Sequence, residues 1–333
     1  MTASEQSVTL KVLSLDLPRV VAEIEASIRD SVFRRLRRRG AVVAVSGGVD
    51  SSVAAALCAR ALGADRVLAL AMPERDSSSE TMGATASVAE ALGVQLLVED
   101  LTSVLEEAGC YRRRDEAIRK AVPEYGPGWR AKIVLPALLG ADQIRLFSVV
   151  AESPSGERRV ARLTADAYRE IVAATSFKQR CRKLFEYYHA DRLHYAVVGT
   201  PNRLEYDQGF FVKNGDGAAD FKPIAHLYKT QVYELAGFLG LPEEVMAREP
   251  TTDTYALAQT QDEFYFGVPY QMLDLCLYAH NHGLPAQSVV DAAGISSEDV
   301  ERIFRDIEGK RRATAYLHLP PLLMEPVPEV GSR

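Results

Sequence analysis

The chain has 333 residues, 47% of them hydrophobic and 25% charged, which is enough to build a full globular core. Its formal net charge of -6 argues against general nucleic-acid binding, because that binding takes most of its affinity from Lys and Arg side chains that neutralise phosphates. No basic leader precedes an apolar run, and no segment has the roughly 20 apolar residues that cross a bilayer, so we expect a cytoplasmic enzyme without membrane contact.

The first half of the sequence alternates short β-branched runs with longer amphipathic stretches, a pattern typical of βαβ units. The predicted elements are a helix at 17–39, a strand at 41–45, a helix that ends near residue 62, a strand at 67–72, a helix at 80–92 and a strand at 94–98. This order predicts an α/β fold with a doubly wound, Rossmann-like parallel sheet flanked by helices.

Residues 103–165 interrupt this alternation and indicate an inserted irregular segment. Its Pro and Gly residues near position 125 indicate loops, and a turn at 154–157 predicts a hairpin of strands at 146–150 and 159–163. The later predicted elements are a helix at 165–190, a strand at 195–199, a Gly-rich connection at 209–223, a helix at 229–239 and at least two helices in the tail.

These elements predict one domain over residues 1–333. Its nucleotide-binding core would comprise residues 17–102 and 166–245, interrupted by the insertion at 103–165 and followed by a helical C-terminal part at 246–333. The four cysteines are far apart in sequence and form no C-x-x-C pair, so we expect reduced packing residues.

A Gly-rich turn joins the first strand to the second helix. A turn at this place exposes backbone N–H groups beside the positive end of the helix dipole and so makes a site for phosphate. It is neither a Walker A loop nor a G-x-G-x-x-G loop, and Asp50 places a carboxylate where Mg²⁺ would be held against the same phosphates. The predicted phosphate-binding residues are Ser46, Gly47, Gly48, Val49, Asp50, Ser51 and Ser52.

The heptapeptide S-G-G-V-D-S-S resembles the signature of the ATP pyrophosphatase group, whose members cleave ATP between its α and β phosphates and adenylate a substrate. The group includes asparagine, argininosuccinate, GMP and NAD synthetases and several tRNA-modifying enzymes. The loop alone therefore implies ATP binding and AMP-forming chemistry, without a particular substrate.

Three later blocks closely resemble the NAD synthetase family. They are GTPNRLE at 199–205, GFFVKNGDGAAD at 209–220 and PIAHLYKTQVYEL at 223–235. The segment EPTTD at 249–253 and the basic KRR at 310–312 are also similar to that family. The resemblance covers about residues 17–102 and 170–320 and implies an ammonia-dependent NAD synthetase.

The resemblance also implies residue roles on the ATP side. Asp50 and Glu205 would be Mg²⁺ ligands, because both offer hard oxygen donors. Lys229 would stabilise charge that grows on the α-phosphoryl group, and Thr251 would donate a hydroxyl group. The implied catalytic residues are therefore Asp50, Lys229 and Thr251.

Further implied contacts surround the nucleotides. Met72 lies where the family packs adenine, Thr200 supplies a hydroxyl donor, and Arg180 matches the arginine of the family motif N-x-x-A-R. Either Phe210 or Phe211 would stack on the pyridine ring of deamido-NAD. The residues implied to bind deamido-NAD are Phe210, Phe211, Lys213, Asp216, Asp220, Ser176 and Lys310.

The sequence departs from the family at the N-x-x-A-R motif, where Ser176 stands for the asparagine and Gln179 for the alanine. Together with the long segment at 103–165, this keeps open an amide ligase that acts on a different carboxylate. A second alternative is a nucleotide-binding regulator without catalysis, although retention of Asp50, Glu205 and Lys229 argues against it. A tRNA thiolation enzyme is weaker still, since paired cysteines and a basic face are absent from the sequence.

The implied reaction activates the carboxylate of deamido-NAD with ATP and converts it to the carboxamide of NAD. A glutaminase domain would need some 250 or more further residues by usual domain sizes. The nitrogen donor is therefore expected to be free ammonia or ammonia delivered by another protein. By the same resemblance, the chain is expected to form a homodimer.

Overall fold

A central parallel sheet organises the fold of the computed structural model, in which residues 9–139, 146–251 and 254–328 are described. The strands are β1 (Ala41–Ala44), β2 (Val67–Ala71), β3 (Gln95–Val98), β4 (Arg130–Val134), β5 (Ser148–Glu152), β6 (Arg158–Arg162) and β7 (Ala196–Val198). The first sheet has the order β3-β2-β1-β7 and all of its pairs are parallel.

Twelve α-helices occur in the described parts of the chain. They are α1 (Leu17–Arg29), α2 (Val49–Leu62), α3 (Ser79–Leu92), α4 (Thr102–Glu107), α5 (Cys110–Arg119), α6 (Ala165–Leu193), α7 (Arg203–Gln208), α8 (Lys229–Phe238), α9 (Glu243–Ala247), α10 (Tyr270–Asn281), α11 (Val290–Ala293) and α12 (Ser297–Thr314). None of these helices has the length and apolar character that a membrane crossing requires.

Helices cover both faces of the parallel sheet because β1 alternates its side chains between two cores. Ala41 and Val43 pack with α1, α2 and α8, whereas Val42 packs with the layer that contains α5 and α6. The predicted α/β fold is therefore confirmed. The predicted helix at 17–39 ends sooner than expected, because α1 continues only as a π-helical turn at Asp30–Arg35 and Arg37 then adopts a left-handed backbone with φ of 53°.

The order in which the chain adds strands to the sheet reverses between β1 and β7. The chain moves from β1 out to β2 and β3 on one side and later returns to add β7 on the other side. In such sheets, ligands bind in the crevice at the carboxyl ends of the strands where the order reverses. The Gly-rich turn follows β1 at this crevice, and residue 199 follows β7 there.

The segment at 103–165 is more regular than the sequence suggested. It contains α4, α5 and an antiparallel sheet of order β4-β5-β6. The predicted hairpin is confirmed, with its strands shifted by one or two residues. We missed β4 because only Ala131 and Ile133 face its core, between exposed or half-exposed Arg130 and Lys132.

The described cysteines pack in the interior, as expected. All four are buried and free. Burial raises the pKa of the Cys58 and Cys276 thiols to about 12, because a thiolate would lose its hydration there. Both residues are therefore packing side chains.

Candidate active site

The turn after β1 is shaped by close packing against α3. Gly47 has a φ of 68°, and a Cβ atom added there would lie 2.8 Å from the Cβ of Ala84. Only glycine fits this backbone without strain. Gly48 caps α2 without a side chain, so the N–H groups of the first turn face the crevice at the positive end of the helix.

Serine hydroxyl groups brace this turn from within. The Ser51 hydroxyl group donates to the Gly48 carbonyl group at 3.0 Å, and the Ser46 amide group donates to Ser51 Oγ at 3.3 Å. The Ser52 hydroxyl group donates to the same Gly48 carbonyl group at 2.8 Å. These internal hydrogen bonds fix the shape of the turn, which lowers the ordering cost of binding an anion.

Asp50, in the first turn of α2, joins two distant parts of the chain. Its carboxylate forms an ion pair with the ammonium group of Lys229 and accepts a hydrogen bond from Asn202 Nδ2 at 3.0 Å. Lys229 is only 2% exposed. Burial alone would lower the pKa of Lys229, but the neighbouring carboxylates of Asp50 and Glu205 raise it above its usual value. Lys229 is therefore a buried cation beside the phosphate turn.

Glu205 is the second carboxylate of this cluster. It accepts hydrogen bonds from the Asn202 amide group at 3.1 Å and from Gln261 Nε2 at 2.8 Å. The Asn202 side chain in turn accepts from the Glu205 amide group, so the two residues form a capping box at the start of α7. Burial and the nearby Asp50 carboxylate raise the pKa of Glu205 to about 8. Burial and Asp50 therefore favour the protonated form of Glu205.

Asp274 fixes the beginning of α8, where Lys229 is the first residue. The fully buried Asp274 carboxylate accepts from the backbone N–H groups of Lys229 at 3.2 Å and Thr230 at 2.7 Å. Burial raises the pKa of Asp274 to about 6 despite these hydrogen bonds. Helix α10 therefore sets the position from which Lys229 reaches Asp50.

A cavity of ≈ 350 Å³ surrounds this cluster. The predicted site residues that line it are Ser46, Gly48, Val49, Asp50, Ser51, Ser176, Thr200, Glu205, Phe210, Phe211, Asp216, Lys229 and Thr251. The structure thus brings together most of the residues implied on the ATP side with several implied on the dinucleotide side. Thr252 and Asp253, from the EPTTD segment, lie outside the described residues.

A second cavity of ≈ 200 Å³ lies over the carboxyl ends of β1 and β2. Met72 lines it, and Ser46, Thr200 and Thr251 line both cavities. The predicted adenine-side residue is therefore next to the phosphate turn. This adjacency suits a nucleotide whose base and phosphates occupy the two cavities.

The other predicted residues have different contacts in the structure. Arg180 is exposed and donates to the Lys213 carbonyl group at 3.2 Å, while the Lys213 ammonium group donates to the carbonyl groups of Tyr316 at 2.8 Å and Leu319 at 2.9 Å. These contacts fasten the segment after α12 to the loop at 209–217. The residues Arg180 and Lys213 line neither cavity, and their implied binding roles stay predictions.

Asp220 and Lys310 also lie outside both linings. Asp220 accepts from the Val197 amide group at 2.7 Å and so satisfies a backbone group of β7. Lys310 forms an ion pair with Asp306 at 2.6 Å and places its ammonium group 4.8 Å from the Tyr265 ring centre. Gly47 and Ser52 support the phosphate turn from behind, as described above.

Sequence reasoning missed three residues of the cluster. Asn202 connects Asp50 to Glu205, Gln261 binds Glu205, and Asp274 caps α8. The spacing of Asn202 and Glu205 was a usable signal, because N-x-x-E before a helix is typical of a capping box. For Gln261 and Asp274, no local pattern in the sequence indicated a contact with residues so far away.

A buried ionic network adjoins the cavity. Lys178, on α6, is 1% exposed and donates to Glu74 Oε1 at 2.8 Å, Asp76 Oδ2 at 2.6 Å and the Thr254 carbonyl group at 3.1 Å. The Tyr111 hydroxyl group donates to the other Glu74 oxygen at 2.7 Å. This network ties the turn after β2 to the cavity wall at Thr254.

No three His, Cys, Asp or Glu side chains cluster as a metal site within residues 9–139, 146–251 and 254–328. Asp50 and Glu205 nevertheless place two carboxylates in the cavity, and each is hydrogen-bonded to Asn202. Mg²⁺ is usually held by one or two carboxylates together with substrate phosphates and water. The donor set therefore fits Mg²⁺ that arrives with a nucleotide.

Comparison with known proteins identifies relatives over most of the chain. A family model described as NAD synthase matches residues 20–121 and 155–313. The NH3-dependent NAD+ synthetase of Rhizobium meliloti is 54% identical over 323 residues, with 97% of this chain and 95% of that protein covered. The protein of the same name from Rhizobium rhizogenes is 54% identical over 315 residues, with 95% of each chain covered.

A solved structure supports the same fold. The NH3-dependent NAD synthetase from Campylobacter jejuni, in complex with the nitrate ion, superposes with a TM-score of 0.61 over 93% of this chain and 100% of that one. Its sequence identity of 19% makes this a likeness of fold alone. The family match and the Rhizobium relatives confirm the resemblance that the sequence motifs indicated, and the chain belongs to the NAD synthase family of ligases.

Proposed function

We propose that this chain amidates deamido-NAD with ammonia at the expense of ATP, and forms NAD, AMP and pyrophosphate. The observation that carries the proposal is the cluster of Asp50, Glu205 and Lys229 beside a phosphate turn in one cavity. The names and the 54% identity of the Rhizobium relatives support the choice of substrates.

The reaction needs activation because a carboxylate has no good leaving group. In the first step, a carboxylate oxygen of deamido-NAD attacks the α-phosphorus of ATP, the α–β bond breaks and pyrophosphate leaves. In the second step, ammonia attacks the carbonyl carbon of the acyl adenylate, AMP leaves, and the added nitrogen loses a proton. Neither step needs a protein nucleophile, so the protein contributes position and electrostatics.

Lys229 and the phosphate turn suit the first step. The raised pKa of Lys229 keeps its ammonium group charged, and its burial strengthens attraction to growing negative charge on the phosphates. The N–H groups at the start of α2 add donors that need no reorganisation. Binding of the triphosphate would compete with Asp50 for Lys229.

Asp50 and Glu205 are the proposed holders of Mg²⁺. When bound, the ion neutralises phosphate charge and favours departure of pyrophosphate. Glu205 must lose its proton to serve as a ligand, since its pKa without metal is about 8. Asn202 positions both carboxylates through separate hydrogen bonds.

We also propose that the chain works as a homodimer. Phe177, Leu184 and Tyr188 lie along one side of α6 and are 37%, 71% and 62% exposed. Their spacing of seven and four residues places them on one helical face. Exposed apolar rows of this kind mark protein interfaces. Analytical ultracentrifugation should give a dimer that Leu184→Glu converts to a monomer.

The test of the reaction measures NAD and pyrophosphate together, with the pure protein in ATP, Mg²⁺, ammonium and deamido-NAD. We expect equal amounts of both products, and we expect Asp50→Asn to abolish them. The matched control is Asp65→Asn, because Asp65 is an exposed carboxylate that precedes β2, at the amino ends of the strands and away from the crevice. Pyrophosphate release that requires some other carboxylic acid and ignores deamido-NAD would overturn the proposal.

A further inference from the structure

Residues 122–154 fall between the two parts of the chain that match the family model. They contain β4, β5 and the connection between them. This segment nevertheless contributes a side chain to the cavity, since Phe147 is part of its lining. A part of the chain without a counterpart in the family model therefore shapes the candidate active site.

The segment is fastened to the site by polar contacts. The Lys132 ammonium group donates to Glu263 Oε2 at 2.7 Å and to the Ala258 carbonyl group at 3.0 Å, and the Leu135 amide group donates to the Glu263 carbonyl group at 3.3 Å. Gln261, which donates a hydrogen bond to Glu205, lies between Ala258 and Glu263 in the chain. The small antiparallel sheet is thus held against the polar end of the site.

Phe147 forms one end of an aromatic wall. Its ring stacks on Tyr168 of α6 with centres 4.3 Å apart and an interplanar angle of 21°, and its centre lies 6.5 Å from that of Phe264. Phe264 is in turn 6.0 Å from Phe210, which stacks on Tyr265 at 4.7 Å. All five rings line the cavity. The wall runs from the unmatched segment to the loop implied to contact the pyridine ring.

We propose that Phe147 is a specificity-determining residue. Its ring extends this wall, and the wall contacts one face of the pyridinium ring of deamido-NAD, the ring that bears the substrate carboxylate. The inference rests on the proposed function. The ring of deamido-NAD is flat and carries a positive charge at its nitrogen, and both properties favour contact with the negative faces of aromatic rings. The carboxylate on that ring is then held in the cavity that contains Lys229 and the phosphate turn.

The experiment measures the dissociation constants of deamido-NAD and of ATP separately, by calorimetry, for wild type and variants. Phe147→Ala should weaken deamido-NAD about tenfold, which equals about 1.4 kcal/mol, and change ATP binding less than about twofold. Phe147→Tyr should bind like wild type, because it keeps the ring. Phe147→Leu, which keeps apolar bulk but loses the aromatic face, should fall between them. Leu146→Ala is the matched control, since Leu146 is the exposed neighbour outside the lining.

Two results would overturn the proposed role of Phe147 and leave the proposed function of the chain intact. One is unchanged deamido-NAD binding in Phe147→Ala. The other is an equal loss of ATP and deamido-NAD binding with a lowered melting temperature, which would make the ring a structural support. Should Phe147→Ala fail to fold, wild-type binding by Phe147→Leu would reject the contact. If wild type itself binds ATP but not deamido-NAD, the proposed function fails, and the inference fails with it.

Discussion

Replacement of Glu205 by glutamine tests how the ionisation of Glu205 affects the stability of the folded protein. The glutamine side chain would keep an oxygen acceptor and the length needed for the capping box with Asn202, because Gln serves at that position of the box as Glu does. The substitution removes the ability to ionise and also replaces the oxygen that accepts from Gln261 Nε2 with an NH2 group, a loss that does not depend on pH. Burial and the Asp50 carboxylate raise the pKa of Glu205 from 4.5 to about 8, so ionisation of Glu205 opposes folding.

The sign of this effect follows from proton linkage. Between pH 4.5 and about 8, folded Glu205 keeps a proton that the unfolded chain has lost. The free energy of unfolding therefore falls as pH rises through that window, and the contribution of this group is lost above the folded pKa. At about 1.4 kcal/mol per pKa unit, the full shift corresponds to at most about 5 kcal/mol. The Glu205→Gln variant cannot ionise at this position and does not show this loss. Its free energy of unfolding relative to that of wild type should therefore rise with pH.

Urea unfolding at about pH 5, 7 and 9 without Mg²⁺ measures the effect. We expect the stability difference between Glu205→Gln and wild type to move in favour of the variant by about 2–5 kcal/mol between the extremes. Glu80→Gln, an exposed position in the first turn of α3, is the matched control and should show a constant difference. A Glu205→Gln difference that is the same at pH 5 and pH 9 would refute the reasoning.

Three other substitutions test contacts around the site. Lys178→Met leaves buried Glu74 without its cation, whereas Asp76 keeps an ion pair with Arg114, and the variant should lower the free energy of unfolding by about 3–5 kcal/mol in urea titrations. Lys120→Met, in an exposed ion pair, should change it by less than about 1 kcal/mol, and equal effects would contradict this account. Asp274→Ala removes the acceptor of two N–H groups at the start of α8, so urea unfolding should show a loss of about 1–2 kcal/mol and pyrophosphate release should slow; unchanged values for both would argue against a capping role. Gly209→Ala puts a Cβ on a backbone with φ of 71°, where it overlaps the Cβ of Thr314, and should lower the melting temperature. The loss should be smaller in a Thr314→Gly background, and an equal loss there would show that the overlap is not the cause.

The sequence predicted those strands, turns and helices that are specified by residues close together in the chain. The buried run at Ala41–Ala44, two glycines and the apolar face of α2 lie next to one another in sequence, so the strand, turn and helix could all be identified. The hairpin of β5 and β6 had a Pro and Gly turn between its strands. In these cases the residues that specify an element are also the residues that form it.

The rest of the site depends on partners that sequence spacing does not reveal. Asp50 is completed by Asn202 and Lys229, and Glu205 by Gln261, all through side-chain contacts across the fold. Family resemblance supplied three of these five residues, but not Asn202 or Gln261. The strand β4 posed a different difficulty, because only Ala131 and Ile133 of its five residues are buried.

Long sequence separation also fixes when the site can form. Asp50 lies 152 residues before Asn202 and 179 before Lys229. At roughly 5–20 residues per second of synthesis, the phosphate turn leaves the ribosome on the order of ten seconds or more before its cation is made. ATP has no complete site to bind during that interval, so the nucleotide stabilises only chains whose second half has already docked. Nucleotide binding is therefore a readout of completed folding rather than a guide for its early steps.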